Sequence, residues 1–264
     1  MLRTLTVAER VNAERLVLLG WSRAILLQLA HPLVAAGVTE HSAVRHGGRF
    51  TAARRLHHTV GSMLSLAFGT EAERDATIAL INDIHRRVNG VLREDAGPFR
   101  AGTRYSAEDP ALLLWVHATL LDSVPLVYER LVAPLTDAER DAYCREAAPV
   151  VRALGAVDGA PETWAELQRY LSRMYASGEL TVSREARELA CIVLAPPLSA
   201  LAGPVTTANR LVTVGLLPPD LRAQYGFRWT AKDERALARR LRLLRAVRRV
   251  TPTRLAIWKG ARVS

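Results

Sequence analysis

Cysteine is nearly absent from this chain of 264 residues, which contains only Cys144 and Cys191. Two cysteines cannot build a disulfide scaffold, a cysteine-based zinc ribbon or an iron–sulfur site. They are typical of a protein whose thiols stay reduced inside the cell. We therefore expect two buried free thiols and a cytoplasmic location.

Lysine is equally scarce, because only Lys232 and Lys259 accompany 34 arginines among the 36 basic residues. Such a skew reflects coding bias, so the arginine content alone indicates no function. Uninterrupted apolar runs of the roughly 18 residues that span a bilayer are also missing. The longest apolar stretch, residues 16–30, contains Ser22, Arg23 and Gln28, and the first ten residues lack the apolar centre of a signal peptide. The sequence predicts a core helix over 16–30 and neither a membrane span nor a secretion signal.

The basic residues are concentrated at the C-terminal end. Residues 232–262 contain eleven basic and two acidic side chains in a chain of net charge +10. This tail is either a solvated helix face or a contact surface for an anionic membrane. Nucleic acid is disfavoured, since the chain has no N-terminal helix-turn-helix pattern and no basic run interleaved with aromatic residues.

Nearly every segment has helical periodicity, and no stretch alternates with period two between turns. Capping boxes at Thr6, Thr70 and Thr136, each with Glu three residues later, predict three helix starts. The class is therefore all-α in a single helical domain, divided here into residues 1–230 and a basic C-terminal helix and tail, 231–264, packed on the same domain. The predicted helices cover 6–30, 34–38, 50–68, 70–88, 109–132 with a kink at Pro125, 136–154, 161–175 from Pro161, 183–195, 205–214, 219–225 and 233–250.

All seven histidines fall in the first 117 residues. Histidine is the usual ligand for haem iron and zinc. His85 follows Ile78 and Ile81 at helical spacing, which places its imidazole on an apolar helix face. His117 has the same kind of setting, so it is the main rival as a ligand. The alternative for both is a hydrogen-bonded core histidine.

A second group of polar residues shares one helix face. Arg55 and Thr59 are four residues apart, and His58 lies three residues after Arg55. Together they form either a polar pocket or three exposed side chains. Glu40, in a loop or at a helix end, is either a general base or a solvated acid. Glycine-rich nucleotide loops, His-Glu-x-x-His, Glu-x-x-His and Gly-x-Ser-x-Gly motifs are all absent from the sequence.

Five fragments occur in an order that resembles the oxygenase family containing mpaB and latex clearing protein, the rubber oxygenase. The resemblance covers about residues 10–230. The fragments are QLAHPLVAAGVTEHS (28–42), RLHHT (55–59), HRRVNG (85–90), YSAEDPALLLWVHATL (105–120) and LP (217–218).

This resemblance implies an all-helical fold with a globin-like core that holds one haem b per chain. It implies His85 as the proximal ligand of the haem iron, and Arg55 and Thr59 as the pair beside the haem. Glu40 matches a pocket carboxylate proposed as a base. His58 replaces a lysine that can occupy the distal position in rubber oxygenase, so it either ligates the iron, hydrogen-bonds bound dioxygen or points away.

The resemblance also implies an enzyme, a haem-b-dependent oxygenase (an oxidoreductase) that uses dioxygen. Because the chain is shorter than rubber oxygenase and lacks its secretion signal, we expect a small apolar substrate, isoprenoid or otherwise unsaturated. The alternative is a haem or small-ligand binding or sensor protein without turnover.

Overall fold

The computed structural model describes residues 5–41, 48–194 and 203–261, without the side chains of 48–57, 203–208 and 260. Helices dominate the described part, which confirms an all-α single domain. The helices are α1 Val7–Ala13, α2 Leu18–Leu29, α3 Pro32–His41, α4 Gly48–Phe68, α5 Glu71–Arg87, α6 Pro110–Leu131, α7 Asp137–Ala153, α8 Trp164–Ala176, α9 Arg184–Leu194, α10 Gly203–Gly215, α11 Pro219–Gln224, α12 Ala231–Val250 and α13 Thr253–Ala256.

Helix starts follow local capping chemistry. The three predicted capping boxes are present, and each threonine hydroxyl accepts a hydrogen bond from the backbone N–H three residues on. Thr163 and Thr230 form two further boxes that the sequence reading missed. The predicted start at Pro161 is therefore wrong, because α8 begins after its cap at Thr163. Each cap stabilises its helix by about 1 kcal/mol.

The single helix predicted over 6–30 is two helices. The chain leaves α1 at Glu14, whose backbone is extended (φ −72°, ψ 123°), and a short 3-10 turn follows before α2. Glu14 pairs through its backbone with Ile257, and its buried carboxylate accepts a hydrogen bond from Arg248 Nε at 2.7 Å. The break between α1 and α2 thus allows Glu14 to contact residues more than 230 positions later in the chain. The periodicity of the first thirty residues contains no sign of such contacts.

Helices α2 and α6 form the centre of the core. A Cβ added at Gly20 would lie 2.6 Å from the Ser123 carbonyl oxygen, so the glycine permits a close backbone approach. Next to it, the buried Arg23 guanidinium donates to Asp122 at 2.6 Å, to the Ser123 hydroxyl at 2.7 Å and to the Leu216 carbonyl at 2.7 Å. The bonds to Asp122 and Ser123 hold α2 against α6.

Helix α6 continues through Pro125 without interruption. By length and mean composition α6 could cross a bilayer, as could the pair Arg15–Leu29 and Pro32–His41 if its 105° bend were one span. The sequence predicts no span because no apolar run of that length is uninterrupted. Helix α6 has the mean hydropathy of a span although it includes polar residues such as His117 and Asp122. Most of α6 is buried inside the protein, as in the core helix of a globular domain.

A short hairpin follows α5, although the sequence reading expected no strand. Strands β1 (Asn89–Val91) and β2 (Arg104–Ser106) are antiparallel, with Gly90 opposite Tyr105. Three residues per strand are too few to show a period-two pattern. The expectation of two buried thiols is wrong for one of them, because Cys144 is buried but Cys191 is exposed on α9.

Candidate functional site

The C-terminal end of α3 is fastened to the hairpin that follows α5. His41 Nε2 lies 3.0 Å from the Asn89 carbonyl oxygen. Helix α2 ends at Leu29 and α3 begins at Pro32, in agreement with the helix end that the proline predicts. The contact between His41 and Asn89 brings Glu40 close to the segment after α5, where Asn89 follows His85 by four residues.

Glu40 sits in a hydrogen-bonded cluster rather than free in a loop. The Tyr105 hydroxyl donates to Glu40 Oε2 at 2.7 Å, and Arg93 Nε donates to Oε1 at 2.7 Å. A Cβ at Gly90 would meet the Tyr105 oxygen at 2.6 Å, so the glycine makes room for the pair. The hydrogen bond from Tyr105, then that from Arg93, lowers the pKa of Glu40, and the burial of Tyr105 raises the pKa of its phenol. Glu40 is therefore ionised at neutral pH but a weaker base than a free carboxylate.

His85 lies near the C-terminal end of α5 and is half-buried. Its Nδ1 is buried and has no hydrogen-bond partner. Burial lowers the pKa of His85, against a smaller opposing effect of Glu108. The imidazole is consequently neutral at pH 7, which is the form that binds a metal.

The apolar face around His85 is only partly covered by protein. Ile78 and Ile81 share this face and are only partly buried, and no residue of α5 is fully buried. An amphipathic helix normally buries this face against a neighbour. Helix α5 thus presents an imidazole and an incompletely covered apolar surface together.

Arg55, His58 and Thr59 all lie on α4. The Arg55 side chain is outside the described part, while His58 and Thr59 are exposed. Helices α4 and α5 meet at the Gly69 turn, where Ser65 Oγ is 2.8 Å from Thr77 Oγ1. His58 is seven residues before Ser65 and His85 eight residues after Thr77, so at 1.5 Å per residue both lie about 11–12 Å from that contact. Each thus lies about two helical turns along its own helix from the contact between α4 and α5.

His117 has a different setting, in the interior of α6. It is buried, its Nε2 has no partner, and burial alone lowers its pKa to about 4. Nothing in these contacts separates a core histidine from a ligand. The alternative left open by the sequence therefore stays open here.

Three residues of this region received no role from the sequence. Tyr105 and His31 lie inside the quoted fragments, whereas Arg93 carries no motif that could have found it. His31 is buried, with Nδ1 unpartnered, Nε2 3.6 Å from a Glu179 carboxylate oxygen and its ring 5.1 Å from that of Phe99. Burial lowers the pKa of His31, with an opposing effect of Glu179.

The described residues contain no cluster of three or more His, Cys, Asp or Glu side chains placed to hold a metal ion. Haem iron needs no such cluster, because the porphyrin supplies four ligands and the protein one or two. A cleft of about 440 Å³ lies elsewhere, at the other end of α4. It is lined by Arg15, Leu64, Ser65, Phe68, Gly69, Glu73, Trp258 and Lys259, and includes none of the predicted site residues.

The family model described as "ER-bound oxygenase mpaB/B'/Rubber oxygenase, catalytic domain" matches residues 9–249. The chain belongs to this family. It is also 30% identical over 239 residues to uncharacterized protein Mb2261 of Mycobacterium bovis and to uncharacterized protein Rv2237 of Mycobacterium tuberculosis, with 89% of each chain covered. No solved structure matches it. The match extends beyond the 10–230 seen from motifs and includes nearly all of α12, and the family is one of oxygenases.

Proposed function

We propose that this member of the oxygenase family binds one haem b per chain and uses dioxygen on a small apolar substrate, isoprenoid or otherwise unsaturated. The observation that carries the proposal is the surface of α5. A neutral, half-buried imidazole lies there on one face with Ile78 and Ile81, which the described part of the protein covers only partly. A porphyrin offers a flat apolar surface for such a face and an iron for the imidazole.

The residues present fit this group. The buried Nδ1 of His85 has no hydrogen-bond partner in the described part of the chain, and such an atom is usually satisfied by a water or another group from outside the protein. Arg55 and Thr59 lie on the neighbouring helix, where they would supply a cation and a hydroxyl near the haem. When bound, the haem supplies dioxygen binding and activation.

The chain's own residues prepare the site around that group. His85 would hold the iron. Ile78 and Ile81, on the same face as His85, would exclude water and favour apolar molecules. Glu40 stays a proposed base, but its bonds to Tyr105 and Arg93 suit it better to hold a proton donor or a substrate polar group in place.

The test is the absorption spectrum of the purified protein, as isolated and after reduction with dithionite. A Soret band at nearly equimolar haem is expected for the native chain. His85→Ala should lose most of the bound haem, whereas the matched variant His117→Leu should keep it. Full haem occupancy in His85→Ala, with loss in His117→Leu, would move the ligand role to His117. A colourless protein that takes up no haemin would end the proposal.

His58 lies on α4, which contacts α5 through Ser65 and Thr77, and it would supply either a bond to the iron or a hydrogen bond to dioxygen. His58→Ala should then change the reduced spectrum or the rate of oxygen reaction. An unchanged spectrum and rate would show that the imidazole points away.

The second candidate is a haem or small-ligand carrier or sensor without turnover. The engagement of Glu40, which leaves no strong base in the cluster, favours it. Oxygen consumption coupled to product formation with unsaturated terpenoid substrates would exclude it. Two further proposals stand apart from the haem: a cytoplasmic location, and contact of the basic C-terminal segment with anionic membrane.

A further inference from the structure

The solvent face of α12 carries a row of uncovered aliphatic side chains. Leu243, Val247 and Val250 are 54%, 50% and 82% exposed, and Leu255 of the following turn is 57% exposed. Their spacing of three or four residues along α12 aligns them in one strip. Four such side chains in contiguous turns form an apolar surface, which a helix exposed only to water does not need.

A row of arginines runs beside this strip. Arg235, Arg239, Arg242 and Arg249 are exposed and repeat at helical spacing on the adjoining face. Residues 235–261 include nine basic and no acidic side chains. The surface is therefore apolar on one flank and strongly cationic on the other.

The opposite face of α12 is fixed to the protein. Leu237 is buried, and Arg248 forms its ion pair with Glu14. After α13 the chain returns to α1, where the backbone N–H of Trp258 donates to the Ala13 carbonyl at 3.0 Å. Because these contacts hold both the opposite face of α12 and the chain that follows it, α12 cannot rotate to bury the strip.

We propose that this face, the α12 strip with its arginine row, docks on the surface of an anionic lipid bilayer. Charge complementarity selects this occupant. A second copy of the chain would bring one arginine row against another, and a nucleic acid would place phosphates against aliphatic side chains. A bilayer offers both partners at once, with lipid phosphates for the arginines and the acyl boundary for Leu243, Val247 and Val250.

The experiment is flotation of the full-length protein with vesicles of phosphatidylglycerol and phosphatidylcholine, compared with phosphatidylcholine alone. Binding is expected only with the anionic vesicles and should weaken as salt is raised. The assay needs no haem, so its outcome is independent of the proposed oxygenase function. Binding to both vesicle types alike, or to neither, would overturn the proposal.

Two triple variants separate the contributions. Arg235→Gln with Arg242→Gln and Arg249→Gln should weaken binding roughly a hundredfold, since each arginine near the surface contributes roughly fivefold. Leu243→Gln with Val247→Gln and Val250→Gln keeps the charge and should weaken binding by about tenfold or more. Val157→Gln, which changes an equally exposed aliphatic residue (66%) away from α12, is the control and should bind as the native chain does.

Circular dichroism melting checks that every variant is folded before flotation. Native-like binding of the folded leucine–valine variant would refute insertion of the strip. Equal weakening by Val157→Gln would refute its specificity. A concentration-dependent dimer that the strip variant abolishes, without vesicle binding, would instead assign the face to a second copy.

Discussion

Stability at acid pH should depend strongly on His117, and the perturbation that tests this is His117→Leu. The leucine has similar volume and no polar atom. Since the native Nε2 has no hydrogen-bond partner, the substitution removes nothing that stabilises the neutral form. At pH 7 the variant should be as stable as the native chain or slightly more stable.

The magnitude follows from the pKa of His117, which burial lowers from 6.5 to about 4. One pKa unit corresponds to about 1.4 kcal/mol. Once His117 is protonated in both the folded and the unfolded chain, its lowered pKa therefore reduces the free energy of unfolding by about 3 kcal/mol. The unfolded chain takes up the proton as pH falls through 6.5, but the folded chain does so only near pH 4. Stability is therefore lost as pH falls between these values, and is fully present above them.

Urea unfolding of both proteins at a series of pH values from about 7.5 to about 4 provides the assay. Buried His31 and half-buried His85 also have lowered pKa values, so they too destabilise the folded state as pH falls. They are unchanged in the variant, so the difference between the two curves isolates His117. The variant should gain up to about 3 kcal/mol relative to the native chain by pH 4. Parallel curves over the whole range would refute the reasoning, because they would mean that His117 is hydrated or partnered in solution.

Two other substitutions test the core and the Glu40 cluster. Arg23→Leu should lower the free energy of unfolding by about 3–5 kcal/mol, since it leaves the largely buried Asp122 without its partner. The double variant with Asp122→Leu should recover much of that loss. Equal losses in the single and double variants would contradict this reasoning. Tyr105→Phe should raise the pKa of Glu40, because the Tyr105 hydrogen bond is the largest cause of its lowering, and a carbon-13 NMR titration of the carboxyl measures it; an unchanged pKa would assign the effect to Arg93.

Local chemistry was predictable from the sequence. The capping boxes at Thr6, Thr70 and Thr136 involve only residues three apart, and Pro32 acts on its own neighbour. The resemblance carried by short fragments was confirmed by the family model, since order and spacing hold information that single motifs lack.

Contacts between distant segments were not predictable. Glu14 breaks the first helix because Arg248 and Ile257 lie against it, and no pattern near Glu14 announces them. Arg93 reaches Glu40 from a loop 53 residues away. The hairpin after α5 is too short for a strand signal, and the exposure of Cys191 depends on which helices surround α9.

The ion pair between Glu14 and Arg248 has a consequence for the order of assembly in the cell. Synthesis delivers Glu14 near the beginning and Arg248 near the end, 234 residues apart. During most of translation the Glu14 carboxylate, which is buried in the folded chain, therefore has no cationic partner. The native arrangement of the first helices is therefore completed only after the segment that carries Arg248 has left the ribosome. Premature termination before Arg248 should yield a chain whose beginning, as well as its end, is left open to proteases.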